Sequence, residues 1–195
     1  MKRSSSVKRN TKETDIRVRL TLDGSGSADI STGVPFFDHM LTLFSVHGFF
    51  DLSVQASGDL AVDFHHTVED VGLVLGDALS QALGDRKKIT RYGHAVIPMD
   101  DALTAATIDL SNRPYLVYNI ADGVERGGDF DVSLAREFFR AFATRAGMNL
   151  HINVFYGENQ HHVIESIFKA TARALDLATG FDARSTGVPS SKGTL

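Results

Sequence analysis

Apolar and polar residues alternate along 16–22, where Ile16, Val18, Leu20 and Leu22 are separated by Arg17, Arg19 and Thr21. A period of two is that of a strand with one buried face. Asp23-Gly24 and Gly26 then turn the chain, and 28–32 is predicted to return as a partner strand. From Pro35 the period lengthens. The stretch 36–47 reads as a helix, with proline suited to its first position and Gly48 as its stop. Leu52, Val54 and Ala56 alternate again, up to a turn at Gly58-Asp59. Next, 67–83 has helical apolar spacing (Val68, Val71, Leu75, Leu79, Ala82) and closes at Gly84-Asp85.

After the charged connector Asp85-Arg86-Lys87-Lys88 the order recurs. Strands are predicted over 103–110 and 115–120, joined by the turn Ser111-Asn112-Arg113-Pro114. A helix follows over 132–146, ending at Gly147. Leu150, Ile152 and Val154 alternate, Gly157-Glu158-Asn159 turns, and 163–177 reads as a second long helix closed near Gly180. Residues 1–12 are polar and are expected to form a loose arm. Both halves thus read strand-strand-helix-strand-helix, over about 13–85 and 91–181, within one domain that ends in a tail. The predicted class is α+β, with two duplicated units packing their apolar faces together.

Composition narrows the chemistry. A chain of 195 residues can bury a sizeable core. There are no cysteines, which removes disulfides, thiolate zinc sites and cysteine nucleophiles. Any metal must use imidazole nitrogen and carboxylate oxygen. The net charge of −4 counts against a general nucleic-acid binder. No apolar run reaches membrane-span length. The basic start Met1-Lys2-Arg3 is not followed by a signal-peptide core, so a cytoplasmic protein is expected.

One motif occurs twice: His65-His66-Thr67-Val68-Glu69 and His161-His162-Val163-Ile164-Glu165. At a helix start, residues four apart share a face, so His65 lies with Glu69 and His161 with Glu165. The adjacent histidine is turned about 100° away, so each pair can serve two different ions. Imidazole with carboxylate and no thiolate suits manganese, iron or catalytic zinc. The offset that carries Leu52 and Val54 onto Leu150 and Ile152 also carries His39 onto Glu137. Each half then offers four candidate ligands: His39, His65, His66 and Glu69 in the first, and Glu137, His161, His162 and Glu165 in the second. A single His-His pair is usually a surface or satisfied polar group; the repetition with glutamate is what points to metal. His47, His94 and His151 read as structural or surface histidines.

Arg91, Arg113 and the tail Ser190-Ser191-Lys192 form a second candidate group, because guanidinium forks and hydroxyls suit phosphate. No Walker-type or Rossmann glycine loop is present, so a nucleotide is not indicated. Two transition-metal ions and a phosphate site suggest a small phosphorylated metabolite. A metal-dependent hydrolase and a metal-stapled assembly protein are the rival readings. There is no His-Glu-x-x-His pair or Asp-x-Asp start to support the former.

The residues resemble the imidazoleglycerol-phosphate dehydratase family over nearly the whole chain. The matching segments are Arg9-x-Thr11-x-Glu13-Thr14, Phe37-Asp38-His39-Met40-Leu41 and Asp63-x-His65-His66-Thr67-x-Glu69-Asp70. They continue through Arg91-Tyr92-Gly93, Asp109-x-Ser111-x-Arg113-Pro114, the second His-His-x-x-Glu and Pro189-Ser190-Ser191-Lys192-Gly193. The resemblance implies dehydration of D-erythro-imidazole-glycerol phosphate to imidazole-acetol phosphate in histidine biosynthesis. It implies two Mn2+ ions per active site and a fold like the second domain of ribosomal protein S5. It further implies a 24-mer built from trimers with active sites shared between subunits, and no nucleic-acid or membrane partner. Metal ligation is carried onto His39, His65, His66, Glu69, His161, His162 and Glu165. Substrate contacts fall on Glu13, Arg91, Arg113, Ser190, Ser191 and Lys192, and His39, His47, His65 and Glu69 are counted with them. Many family members have histidine where this chain has Glu137, which stays a candidate ligand. Some relatives carry an extra phosphatase domain; a chain this short is expected to be monofunctional. The proton to be removed is not acidified by a carbonyl, so an imidazolate held on the ions is the expected electron sink, passing through a diazafulvene-like intermediate. Glu13 and Glu165 are the candidate proton carriers.

Overall fold

The computed structural model describes residues 3–124, 128, 130–193 and 195, so Met1 and Lys2 of the basic start lie outside the described residues. The first half runs β1 (Ser4–Asn10), β2 (Thr14–Thr21), β3 (Ala28–Ser31), α1 (Pro35–Gly48), β4 (Asp51–Gly58) and α2 (His65–Leu83). The second repeats it as β5 (Tyr92–Met99), β6 (Ala102–Asp109), β7 (Tyr115–Asn119), α3 (Val132–Ala146), β8 (Asn149–Tyr156) and α4 (Gln160–Thr179). Each half is β-β-β-α-β-α with a mixed four-stranded sheet, in the orders β1-β2-β4-β3 and β5-β6-β8-β7. The α+β class and the internal duplication are as the periodicity indicates.

Two features differ from the sequence reading. Each half has one more strand than its apolar alternation reveals. The supposed arm is β1, paired antiparallel with β2 from Ser4↔Thr21 to Asn10↔Asp15. An edge strand needs little apolar content, and β1 turns only Val7 against the core. Its counterpart β5 is likewise an edge strand, which accommodates Pro98 without losing a central ladder bond. The second difference is strand partnering. β3 does not pair with β2; it lies parallel to β4, with Ala28↔Leu52 through Ser31↔Gln55. β7 is likewise parallel to β8. The intervening helix makes the crossover that a parallel pair requires, and inserts β4 or β8 between strands that are neighbours in sequence.

Each sheet carries its own two helices on one face, and the halves meet helix to helix. The contacts are crossed: α1 packs on α4 and α2 on α3. At the meeting point the rings of Phe37, Phe138 and Phe168 are all fully buried. Phe138 lies 5.3 Å from Phe37 and 5.3 Å from Phe168, centroid to centroid. Such rings fix how each helix is rotated about its axis. They therefore fix where the adjacent polar residues point: His39 beyond Phe37, Glu137 before Phe138, and Lys169 after Phe168.

The α2–α3 contact is closer still. A Cβ on Gly72 would come within 2.6 Å of the Phe138 carbonyl oxygen, and one on Gly76 within 2.7 Å of that of Phe142. The absence of side chains at these positions lets the two backbones approach. Gly72→Ala is expected to cost about 1–3 kcal/mol through overpacking. A lower urea midpoint at unchanged slope would show this; an unaltered midpoint would mean that the helices spread freely.

Candidate metal centre and anion cleft

Both His-His-x-x-Glu segments open a helix, as the spacing indicates. The Asp63 carboxylate accepts the His65 N–H at 2.8 Å before α2, and Asn159 Oδ1 accepts the His161 N–H at 2.9 Å before α4. These local caps satisfy donors that have no partner inside the helix. Adjacent histidine rings diverge, with interplanar angles of 89° for His65/His66 and 78° for His161/His162.

The helix crossing decides which candidates meet. His39 of α1 joins His161 and Glu165 of α4, and one ligand atom from each lies within 4.8 Å of the others. Glu165 Oε2 is 3.2 Å from His161 Nε2 and 3.6 Å from His39 Nε2. On the other seam, His65 Nε2 lies 3.4 Å from Glu69 Oε2 on α2. Arg140 of α3 links that glutamate to Glu137, donating through Nη2 to Glu69 at 3.0 Å and through Nε to Glu137 at 2.7 Å. The expected grouping within each half is thus corrected. His39 belongs with the second motif and Glu137 faces the first. Apolar periodicity identifies the buried face of a helix but not which helix covers it, so the crossing is invisible in sequence.

The second histidine of each pair is held differently. His66 Nδ1 is 2.9 Å from Asp59 Oδ2, and His162 Nδ1 is 2.5 Å from Asp101 Oδ1. A carboxylate on Nδ1 fixes the ring and turns Nε2 away from it, an arrangement also common behind metal-binding imidazoles. In His162, Nε2 also lies 3.3 Å from Asp100. The hydrogen bond with Asp59 raises the His66 pKa, aided by the nearby negative charge of Glu13. Asp101 is held well below the usual carboxylate range by His162 and by the N–H groups of Glu158 and Asn159. Asp59 and Asp101 lie in turns outside the repeated motif, so its spacing gives no sign of them.

Lys169 is the other residue missed by the sequence reading. Its ammonium is 2.6 Å from Glu165 Oε1, and both side chains are largely buried. Burial favours the neutral acid at Glu165, but Lys169, His161 and His39 together outweigh it and hold the pKa below its ordinary value. The only hint was its position four residues after Glu165 on the same helix face. His47, at the end of α1, faces the same seam. Burial lowers its pKa, and the cations of Lys169 and Arg173 lower it further. His94 and His151 are exposed strand residues.

Glu13 is exposed in the turn between β1 and β2, close enough to His66 to act on its charge. The phosphate candidates gather elsewhere. A cavity of about 410 Å³ is lined by Arg91, Ser111, Arg113, Ser190, Ser191 and Lys192, among others, and by none of the histidines. Arg91 is locked in place: Nε and Nη2 donate to Asp109 at 2.7 and 3.2 Å, and Nη1 donates to the Pro189 carbonyl at 2.7 Å. It thereby ties the tail to the body of the protein. Arg113 is two-thirds exposed, its Nη2 3.9 Å from Asp109.

The donor set fits a divalent ion. Two imidazoles and a carboxylate converge, without thiolate, at a partly open position, as expected for manganese or another ion that accepts mixed nitrogen and oxygen ligands. Fold and site together define a duplicated α+β protein with imidazole–carboxylate clusters on its helix seams and a separate cavity lined by arginine, serine and lysine. The family model for imidazoleglycerol-phosphate dehydratase matches residues 32–175, and the chain belongs to that family. It is a hydro-lyase that dehydrates imidazoleglycerol phosphate in histidine biosynthesis. It is 64% identical over 195 residues to the imidazoleglycerol-phosphate dehydratase of Desulfosudis oleivorans, covering 100% of each chain. Identity to that of Syntrophobacter fumaroxidans is 60% over 194 residues, covering 100% of this chain and 98% of the relative. Among solved structures, the Pyrococcus furiosus enzyme in complex with (S)-C348 superposes with a TM-score of 0.84 at 38% identity, covering 97% of this chain and 100% of that one. The Staphylococcus aureus enzyme gives 0.81 at 39% identity, covering 92% and 99%.

Because its folded pKa is depressed, Glu165 contributes stability above its unfolded pKa near 4.5, and this is lost as pH falls through the lower folded value. Lys169→Met is expected to leave the burial of Glu165 less opposed and to raise its pKa. An NMR titration of the Glu165 carboxyl carbon would show the higher midpoint; an unmoved midpoint would deny Lys169 this role.

Proposed function

We propose that the chain converts D-erythro-imidazole-glycerol phosphate to imidazole-acetol phosphate with two manganese ions per site, held by the histidine and glutamate clusters on the helix seams. The observation that carries this reading is the convergence of His39, His161 and Glu165 across the crossed contact. Bound ions would supply Lewis acidity and hold the imidazole ring of the substrate. His39, His161 and Glu165 serve one position, and His65, Glu69 and Glu137 the pseudo-equivalent one. His66 and His162, oriented outward by Asp59 and Asp101, supply ligands to ions shared with neighbouring subunits.

The chain's own groups do the rest. Arg113, Ser190, Ser191 and Lys192 grip the phosphate, while Arg91 keeps the tail in place for that contact. This fixes the reacting carbons at the far end of the substrate. Glu13 and Glu165 move the carbon-bound proton and the proton that leaves with the hydroxyl. Lys169 keeps Glu165 ionised until the substrate arrives, and His47 closes the end of the seam. Among the described residues, the phosphate cleft and the histidine clusters share no lining residue within one chain. A site shared between subunits, in a 24-mer of trimers, brings the two together.

Product identification tests the reading. Metal-stripped protein is expected to make no keto product from imidazoleglycerol phosphate, and manganese is expected to restore it; full turnover after chelation would sink the metal assignment. Glu13→Gln is expected to lower turnover by about 10²–10⁴-fold, the usual worth of a proton-transferring group, with a smaller change in KM. Wild-type turnover would remove Glu13 from that role.

A further inference from the structure

We propose that Asp70 is a positioning residue, which holds the turn bearing Glu13 in register with the ligand helix α2 through a directed chain of hydroxyl hydrogen bonds. The inference rests on the reading of Glu13 as a proton carrier.

Asp70 follows Glu69 directly, yet it points inward and is only 8% exposed. Arg9 Nε donates to its Oδ1 at 3.1 Å, and the Thr14 hydroxyl donates to its Oδ2 at 2.5 Å. Thr14 has one hydroxyl proton, and a carboxylate can only accept, so that proton is committed to Asp70. The 3.3 Å contact between the Thr11 and Thr14 hydroxyls therefore runs from Thr11 to Thr14. Thr11 Oγ1 in turn accepts the backbone N–H groups of Glu13 at 3.1 Å and Thr14 at 3.0 Å. Every proton in the chain points the same way, and the chain ends on a charge. Such an arrangement is mutually reinforcing in a low-dielectric setting.

The placement gives this chain its purpose. His66 and Asp70 are four residues apart and share one stripe of α2. The turn 11–14 lies along that stripe, with Glu13 near His66 and Thr14 bonded to Asp70. One stripe of α2 thus carries a candidate ligand, His66, and, one turn on, the anchor for a carboxylate that acts beside it. Any shift of α2 on binding the ion and substrate carries Glu13 with it.

The test is a double-mutant cycle on the manganese-loaded full-length protein. Thr14→Val breaks the chain at its middle; it is expected to lower turnover at least about tenfold while KM changes less than about threefold. Thr14→Ser should restore turnover. In a Glu13→Gln background, Thr14→Val should add no further loss, because the residue through which it acts is already disabled. Hydrogen exchange should speed up at the Glu13 and Thr14 amides in Thr14→Val. An equal fold-loss in the Glu13→Gln background would overturn the proposal, as would unchanged turnover despite faster amide exchange. Full turnover of Glu13→Gln alone is a separate result that removes the assignment of Glu13 and the inference with it. Should Thr14→Val fail to fold, Asp70→Asn, which keeps the side-chain shape and removes the charge, is read in the same cycle.

Discussion

The site depends on the crossed contact between the two halves. Each helix has one apolar face toward its own sheet and another stripe that only the other half can cover. Burying Phe37, Phe138 and Phe168 at one crossing is worth several kcal/mol by ordinary area arithmetic, far more than any surface ion pair. That burial sets α1 on α4 and α2 on α3, and the polar residues next to the rings have no independent choice of direction. The two imidazole–carboxylate groups are therefore by-products of how the core closes.

The pseudo-symmetry is structural more than chemical. On the α1–α4 seam the carboxylate is buried and paired with a buried ammonium, Lys169. On the α2–α3 seam the corresponding carboxylate, Glu69, is more exposed and shares a half-exposed guanidinium, Arg140, with Glu137. A buried pair holds its geometry against water and salt; an exposed one adapts readily. The ion pair of the first seam is shielded from solvent and that of the second is screened by it, although both are built on the same backbone plan. Two carboxylates placed by one plan thus stand in different electrostatic surroundings.

Much of this was legible in the chain. Alternation at Ile16, Val18 and Leu20 and again at Leu150, Ile152 and Val154 marks central strands, because such strands must bury one face. The doubled His-His-x-x-Glu marks the starts of α2 and α4. The tail and Arg113 stood out as one candidate group by residue type alone, and they line one cavity. What escaped has physical causes. An edge strand such as Ser4–Asn10 needs almost no apolar signal. The insertion of β4 beside β3 depends on a helix crossover, which turn chemistry does not encode. Asp59, Asp101 and Lys169 matter only through neighbours brought close by folding. The crossing itself is a choice of partner, and periodicity records faces but not partners.

A half-length chain with this pattern would carry its histidines and its glutamate on helices with no covering partner, and no ligand cluster would form. Two identical copies related by a twofold axis would bury the same stripes and form two identical clusters at once. Joining the copies in one chain releases them from that identity. A residue on α4 no longer has to suit α2, and lysine can appear on one seam while arginine appears on the other. The crossed helices thus allow one scaffold to support two unequal side-chain clusters.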